Sequence, residues 1–273
     1  MRSAIPGAVA VLLAISALAQ SPAYLQDRGP GIPTSMFGTY VQRHELLVYP
    51  FLEYTVQNLE YKPSEMGYGV NEDFRGRFRQ TEALIFLGYG VSDRLALEFE
   101  AAVTSATLRK SSLDPSGLPS SVHEAGLGDT QVQANWRWSF ETASRPEVWS
   151  YLEADLPLQK SRKLIGTQGL GLKLGTGVTK GFPIGTFTLR VAAQHEKGQG
   201  TVEIGEYAFE YLKRVSPRWR LYTGIEGSQD EIEYIFEVQR RLSEHAFIKI
   251  NNAFGITSKA PRWAPEIGIV FSF

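Results

Sequence analysis

The chain has 273 residues, a formal net charge of −1 and a pI near 6.5, which give no electrostatic reason to expect nucleic acid as a partner. It contains no cysteine, which excludes disulfides and thiolate metal sites. Hydrophobic residues at 43% and a mean hydropathy of −0.17 argue against a helical membrane protein, but not against a membrane barrel, whose alternate residues face a polar lumen.

Residues 1–19 read as a cleaved export signal. Arg2 is followed by the short apolar run Ala8 to Leu18, and Ala17-Leu18-Ala19 gives a small-x-small cleavage site before Gln20. That run is shorter than the ~20 residues a spanning helix needs. Nothing later approaches one, so a place in a membrane requires a barrel. Residues 20–43 are irregular and rich in Pro and Gly, with Asp27-Arg28-Gly29-Pro30-Gly31-Ile32-Pro33 at their centre. The sequence leaves open whether they lie in the periplasm or form a partial plug.

From residue 44 to 273 the chain alternates between apolar and polar residues in hairpin after hairpin. Leu46, Val48, Leu52 and Tyr54 oppose Glu45, Glu53 and Thr55, with Pro50 predicting a gap in the ladder. Leu95, Leu97 and Phe99 alternate with Ala96, Glu98 and Glu100, and Val132, Ala134, Trp136 and Trp138 alternate with Gln131, Gln133, Asn135 and Arg137. The last strand places Ile267, Ile269, Phe271 and Phe273 opposite Glu266, Gly268, Val270 and Ser272. About twelve strands result, an even number, with the first and last expected to pair and close a ring. Short turns near Ser92-Asp93-Arg94, Ser144-Arg145-Pro146, Pro183-Ile184, Ser216-Pro217-Arg218 and Ser243-Glu244-His245 take one end. The longer connections Gln57 to Phe74, Lys110 to Glu124 and Lys160 to Thr167 take the other. The expected fold is all-β: a single-chain transmembrane antiparallel β-barrel in the bacterial outer membrane, with its short turns in the periplasm.

The polar face carries too many charges for a filled core, because a barrel of ~12 strands is too wide for one layer of side chains to fill. A wet lumen inside a lipid-facing apolar belt resolves this. Trp136, Trp138, Tyr211, Trp219, Phe271 and Phe273 then form an aromatic girdle near the short turns. The residues expected to line the lumen are Glu98, Glu100, Arg137, Glu153, Asp155, Arg190, Arg220, Glu237, Arg241 and Lys249, with acids and bases segregated onto different walls. A hairpin turning near Gln229 puts Arg220 opposite Glu237 or Val238.

Gly126-Leu127-Gly128-Asp129-Thr130-Gln131-Val132-Gln133-Ala134-Asn135-Trp136-Arg137 resembles the "GLGD" strand of a family of outer-membrane barrels named for the meta-pathway of phenol degradation. Gly88-Tyr89-Gly90-Val91-Ser92-Asp93-Arg94-Leu95 and Gly177-Val178-Thr179-Lys180-Gly181-Phe182 are similar in kind. The resemblance implies a transporter-like protein for small solutes, aromatic or hydrophobic compounds among them, and carries no catalytic residues. The final Phe273 likewise resembles the terminal signal read by the outer-membrane barrel assembly machinery. The expected partners are therefore that machinery, outer-membrane lipid and an unnamed solute, without nucleic acid.

No cofactor, metal or catalytic motif stands out. Gly169-Leu170-Gly171-Leu172-Lys173-Leu174-Gly175 lacks the Lys-Ser/Thr of a phosphate loop and reads as a strand with small lumenal residues. His44, His123, His195 and His245 are single, read as turn or loop residues, and none is followed two positions later by the serine of an outer-membrane phospholipase. A plugged structural or surface-interaction barrel is the alternative to a channel, with an outer-membrane hydrolase behind both.

Overall fold

The computed structural model describes residues 22–167, 169–196 and 202–273; the export signal expected at residues 1–19 lies outside them. Two short strands, β1 (Ile32–Pro33) and β2 (Tyr40–Val41), pair with each other near the N-terminus. Twelve further strands follow. They are β3 (Leu46–Tyr61), β4 (Phe74–Gly90), β5 (Leu95–Arg109), β6 (Ser121–Ser139), β7 (Glu147–Leu156), β8 (Gly171–Phe182), β9 (Gly185–Glu196), β10 (Val202–Ser216), β11 (Trp219–Ser228), β12 (Glu231–Arg241), β13 (Ala246–Gly255) and β14 (Ala264–Ser272). Each pairs antiparallel with its neighbours, and β14 pairs with β3 to close the barrel. The first and last barrel strands meet there: Leu46 and Phe273 exchange both backbone hydrogen bonds, at 3.1 and 3.0 Å.

The polarity of the barrel is inverted relative to a water-soluble one. Leu174 is 63% exposed on the outer face and Leu152 54%, whereas Glu237 and Asn135 are fully buried inside. An apolar exterior around a polar interior is stable only where the exterior meets lipid. Trp136 and Trp138 meet edge to face on the outer surface near the β4–β5 turn, and Phe271 stacks on Phe273 further round the same rim, on β14. Among the described residues no helix is long and apolar enough to cross a membrane.

The longest connections share one end of the barrel, though the β11–β12 turn at that end is only Gln229-Asp230, and two of the expected long loops are shorter. β3 continues to Tyr61 and pairs there with Phe74 at the start of β4, so the loop expected from Gln57 shrinks to residues 62–73. The connection expected at Lys110 to Glu124 shrinks similarly, because β6 begins at Ser121. These outer strand ends carry Gln57, Asn58, Glu60, Arg75 and Arg77, polar on both faces, so hydrophobic alternation cannot reveal them. Pro50 has the effect its missing N–H implies: the β3–β14 ladder pairs Phe51 with Gly268 and Val48 with Phe271, and no pair forms between.

The glycines of β8 make room for aromatic rings. Trp149 and Tyr151 on β7 face inward and lie flat over Gly177 and Gly175, where an added Cβ would sit only 2.4 Å and 2.1 Å from the rings. Gly177→Val should therefore force Trp149 off its seat and its bond to Thr179 Oγ1 (3.2 Å). The expected cost is about 1–3 kcal/mol, seen as a lower urea midpoint for loss of heat-resistant gel mobility.

Candidate functional site

The N-terminal segment enters the barrel at the short-turn end and fills it. Arg28, fully inside, donates to Glu141 at 2.8 Å and to Glu147 at 2.7 Å. Burial alone would lower its pKa, but the charge of Glu147 and the hydrogen bond and charge of Glu141 outweigh that and hold it raised. Each of the two carboxylates has a second cation: Arg137 lies 3.1 Å from Glu147, and Lys180 lies 3.3 Å from Glu141. Wall side chains then satisfy the segment's own backbone. Arg137 donates to the carbonyls of Pro30 and Gly31, Lys249 to Phe37 O at 2.8 Å, and Gln239 to Gly38 O at 3.4 Å. Glu98 accepts from Ser35 N at 3.0 Å, from its hydroxyl at 2.5 Å, and from Asn135. Ile32 and Val41 of the β1–β2 hairpin pack on Leu47, Tyr49, Phe51, Phe86 and Val270, one of several apolar patches on the inner wall.

Above this plug the lumen is charged and uneven. Arg190 is the hub of one wall, 2.9 Å from Glu206, 2.6 Å from Glu210 and 3.2 Å from Glu226. Lys173 lies 2.8 Å from Glu153 and 3.6 Å from Glu206, and Gln131 bridges Glu153 and Asp155 at 2.9 and 2.8 Å. The facing wall, β3 to β5 with β14, carries Glu53, Glu82, Glu100 and Glu266. Among the described residues none of these has Lys or Arg within ion-pair reach. Glu53 accepts from Thr55 at 2.7 Å, Glu82 from Thr104 at 2.8 Å, and Glu266 from the Tyr49 hydroxyl. The space there includes a cavity of about 360 Å³ lined by Glu82, Glu100 and Asp155, and one of about 270 Å³ lined by Lys173, Glu206, Glu226 and Glu233.

The long-loop end is partly roofed. Opposite Ala102 of β5, strand β6 spends two residues, Gly128 and Asp129, and the ladder shifts register there. Such a bulge re-aims a side chain. Asp129 turns to the connection between β7 and β8, accepting from Leu158 N at 3.1 Å and from Thr167 N at 2.5 Å. Glu124 accepts from Leu164 N at 2.8 Å and Arg162 donates to Ala125 O. So held, Leu164 and Ile165 pack inward on Tyr61, Phe78, Leu108 and Leu118.

No family model and no curated protein matches the chain. Among solved structures, the chain is similar to the COG4313 outer membrane channel from Pseudomonas putida F1, with a TM-score of 0.62, 13% identity, and coverage of 85% of this chain and 96% of that one. It is also similar to the KdgM porin in complex with disordered oligogalacturonate, with a TM-score of 0.51, 8% identity, and coverage of 83% and 99%. The fold is that of an outer-membrane barrel. In barrels of this kind the short turns usually face the periplasm and the long loops the outside.

Within this outer-membrane barrel the ten charged residues singled out in the sequence divide by depth. Glu98, Arg137, Glu237 and Lys249 seat the plug at the short-turn end, while Glu100, Glu153, Asp155 and Arg190 face the space above it. Two are corrected. The β11–β12 hairpin turns tightly on Gln229-Asp230, with Gln229 in the left-handed region (φ 50°), so Arg220 pairs across from Gln239, while Glu237 lies opposite Tyr222 and takes Lys249 as its partner at 3.1 Å. Arg241 shares the two-residue period of Glu237 and Gln239 but is exposed at the short-turn rim, where it donates to Ser243 O at 3.0 Å. The expected segregation is also modified: bases at mid-depth always have acids beside them, and it is acids that stand alone. His123 is a strand residue of β6, 3.1 Å from the Thr107 hydroxyl, where a loop position was expected.

The sequence reading passed over Arg28, Glu141, Glu147 and Lys173. Glu147 and Lys173 were within reach, because each shares the two-residue period of the lumenal face of its strand: Glu147 with Trp149, Tyr151 and Glu153, and Lys173 with Gly171, Gly175 and Gly177. Arg28 and Glu141 carry no such signal.

Proposed function

We propose that the protein is an outer-membrane channel for small solutes, closed at its periplasmic end by its own N-terminal segment. The observation that carries this reading is the inner face itself: a wide barrel whose interior charges surround cavities above a docked segment, where a purely structural barrel would have no use for that space. The unpaired carboxylates Glu53, Glu82, Glu100 and Glu266 give the open lumen a negative field, which favours cations over anions. The resemblance of the Gly126 to Arg137 strand makes small aromatic compounds the first solutes to assay. In planar bilayers the full mature chain should conduct little, and a chain lacking residues 22–41 should conduct steadily with cation preference. If both are silent and neither admits solutes into liposomes, the channel reading is lost and the plugged structural barrel takes its place.

A further inference from the structure

The periplasmic end holds a second, differently charged site. A cavity of about 210 Å³ lies between the plug residues Thr39 and Tyr40 and the inner ends of β10 to β13, and Arg214, Arg218, Arg220 and Arg241 line it. Arg214 and Arg220 are direct partners across the β10–β11 ladder. Like charges placed directly opposite one another are destabilising, and such a pair is retained at a cost unless something of opposite charge joins it. Every other base singled out in the interior has a carboxylate: Arg28, Arg137, Lys173, Arg190 and Lys249 all do. Among the described residues none of these four guanidiniums has a carboxylate within ion-pair reach, Asp27 accepting from the Arg214 backbone N at 2.8 Å and pairing with Lys213. Arg220 rests over the ring of Phe247 at 5.2 Å, and Arg241 spends its Nε on Ser243 O. The acids lining the cavity, Glu45 and Glu244, are outside ion-pair reach of the arginines, and Glu45 is already engaged by Gln42 N at 2.6 Å and the Ser272 hydroxyl.

We propose that this cavity binds an oxyanion through Arg214, Arg220 and Arg241: a phosphate group, free or as a phosphate ester. Planar guanidinium forks donate paired hydrogen bonds that match phosphate oxygens. With ~30 Å³ per water in the liquid, the cavity has room for the anion and part of its hydration shell. Because Thr39 and Tyr40 supply its inner wall, the bound anion touches the plug, and occupancy and plug seating are thermodynamically linked.

The test is calorimetric titration of inorganic phosphate into the refolded full-length barrel in zwitterionic detergent at low salt. Saturable binding is expected, weakened about tenfold or more by Arg220→Gln and by Arg214→Gln. Arg145→Gln, at an exposed turn, serves as the control and should bind like the parent. Heat-modifiable gel mobility establishes that each variant is folded before titration. The source is read by repeating the titration in nanodiscs of phosphatidylcholine with and without phosphatidylglycerol. Phosphate binding suppressed by phosphatidylglycerol assigns the site to a lipid headgroup, and unchanged binding assigns it to a soluble phosphate; both support the site. Absence of saturable binding, equal binding by Arg220→Gln, or equal weakening by Arg145→Gln overturns it.

Discussion

Replacing Arg28 with alanine is expected to unseat the plug while leaving the barrel intact. The guanidinium is fully inside, and its removal strands two buried carboxylates that it now bridges, Glu141 and Glu147. Breaking a buried ion pair by removing one partner costs about 3–5 kcal/mol. Here each acid keeps a second cation, Lys180 or Arg137, which places the loss near the lower bound, at about 3 kcal/mol. That raises the undocked population by about two orders of magnitude. The readout is single-channel open probability, together with protease cleavage of the released segment. The barrel ladder itself should be untouched, so heat-modifiable mobility should not change. If open probability stays at the parental level, Arg28 is not what holds the plug.

Arg190→Leu should be the most damaging single change to the barrel wall. Arg190 faces three carboxylates, and among the described residues only Glu206 has other partners, Lys173 at 3.6 Å and the Tyr151 hydroxyl at 3.0 Å. Glu210 and Glu226 would be left in the interior without a cation. The expected loss is about 3–5 kcal/mol of unfolding free energy, measured by urea titration of tryptophan fluorescence in detergent. Adding Glu210→Gln and Glu226→Gln should return most of it, because the penalty belongs to the uncompensated charges and not to the missing side chain. A triple variant as unstable as the single one would show that Arg190 stabilises by packing instead.

The ring of strands was legible because lipid and lumen impose opposite demands on alternate residues. Leu152 and Glu153 sit side by side in sequence and on opposite faces of the wall, and that contrast repeats around the barrel. Cross-strand partners were less legible, since one residue more or less in a turn shifts every pair: the tight Gln229-Asp230 turn moved Arg220 from Glu237 to Gln239. The plug was hidden for a different reason. Residues 22–41 have almost no repeating structure of their own, and their contacts reach across more than a hundred residues, as from Arg28 to Glu141 and Glu147. No local pattern encodes a fit between an irregular segment and a wall assembled from six hairpins.

The junction between plug and barrel sets how the plug can behave once loose. His44 N bonds to Gly90 O at 2.6 Å and Gly90 N to Glu45 O at 3.0 Å, and the backbone of Gln42 presses so closely on Gly90 that an added Cβ would overlap its carbonyl oxygen. The chain is thus clamped to the barrel wall immediately beyond the segment that plugs it. A released segment remains a tethered ligand for its own docking site, at an effective concentration of the order of millimolar, and recapture does not depend on protein concentration. Openings should therefore be brief and frequent bursts with first-order closing, the same in a sparse bilayer as in a crowded one. A clamp loosened by Gly90→Ala would lengthen them without altering the current each one carries.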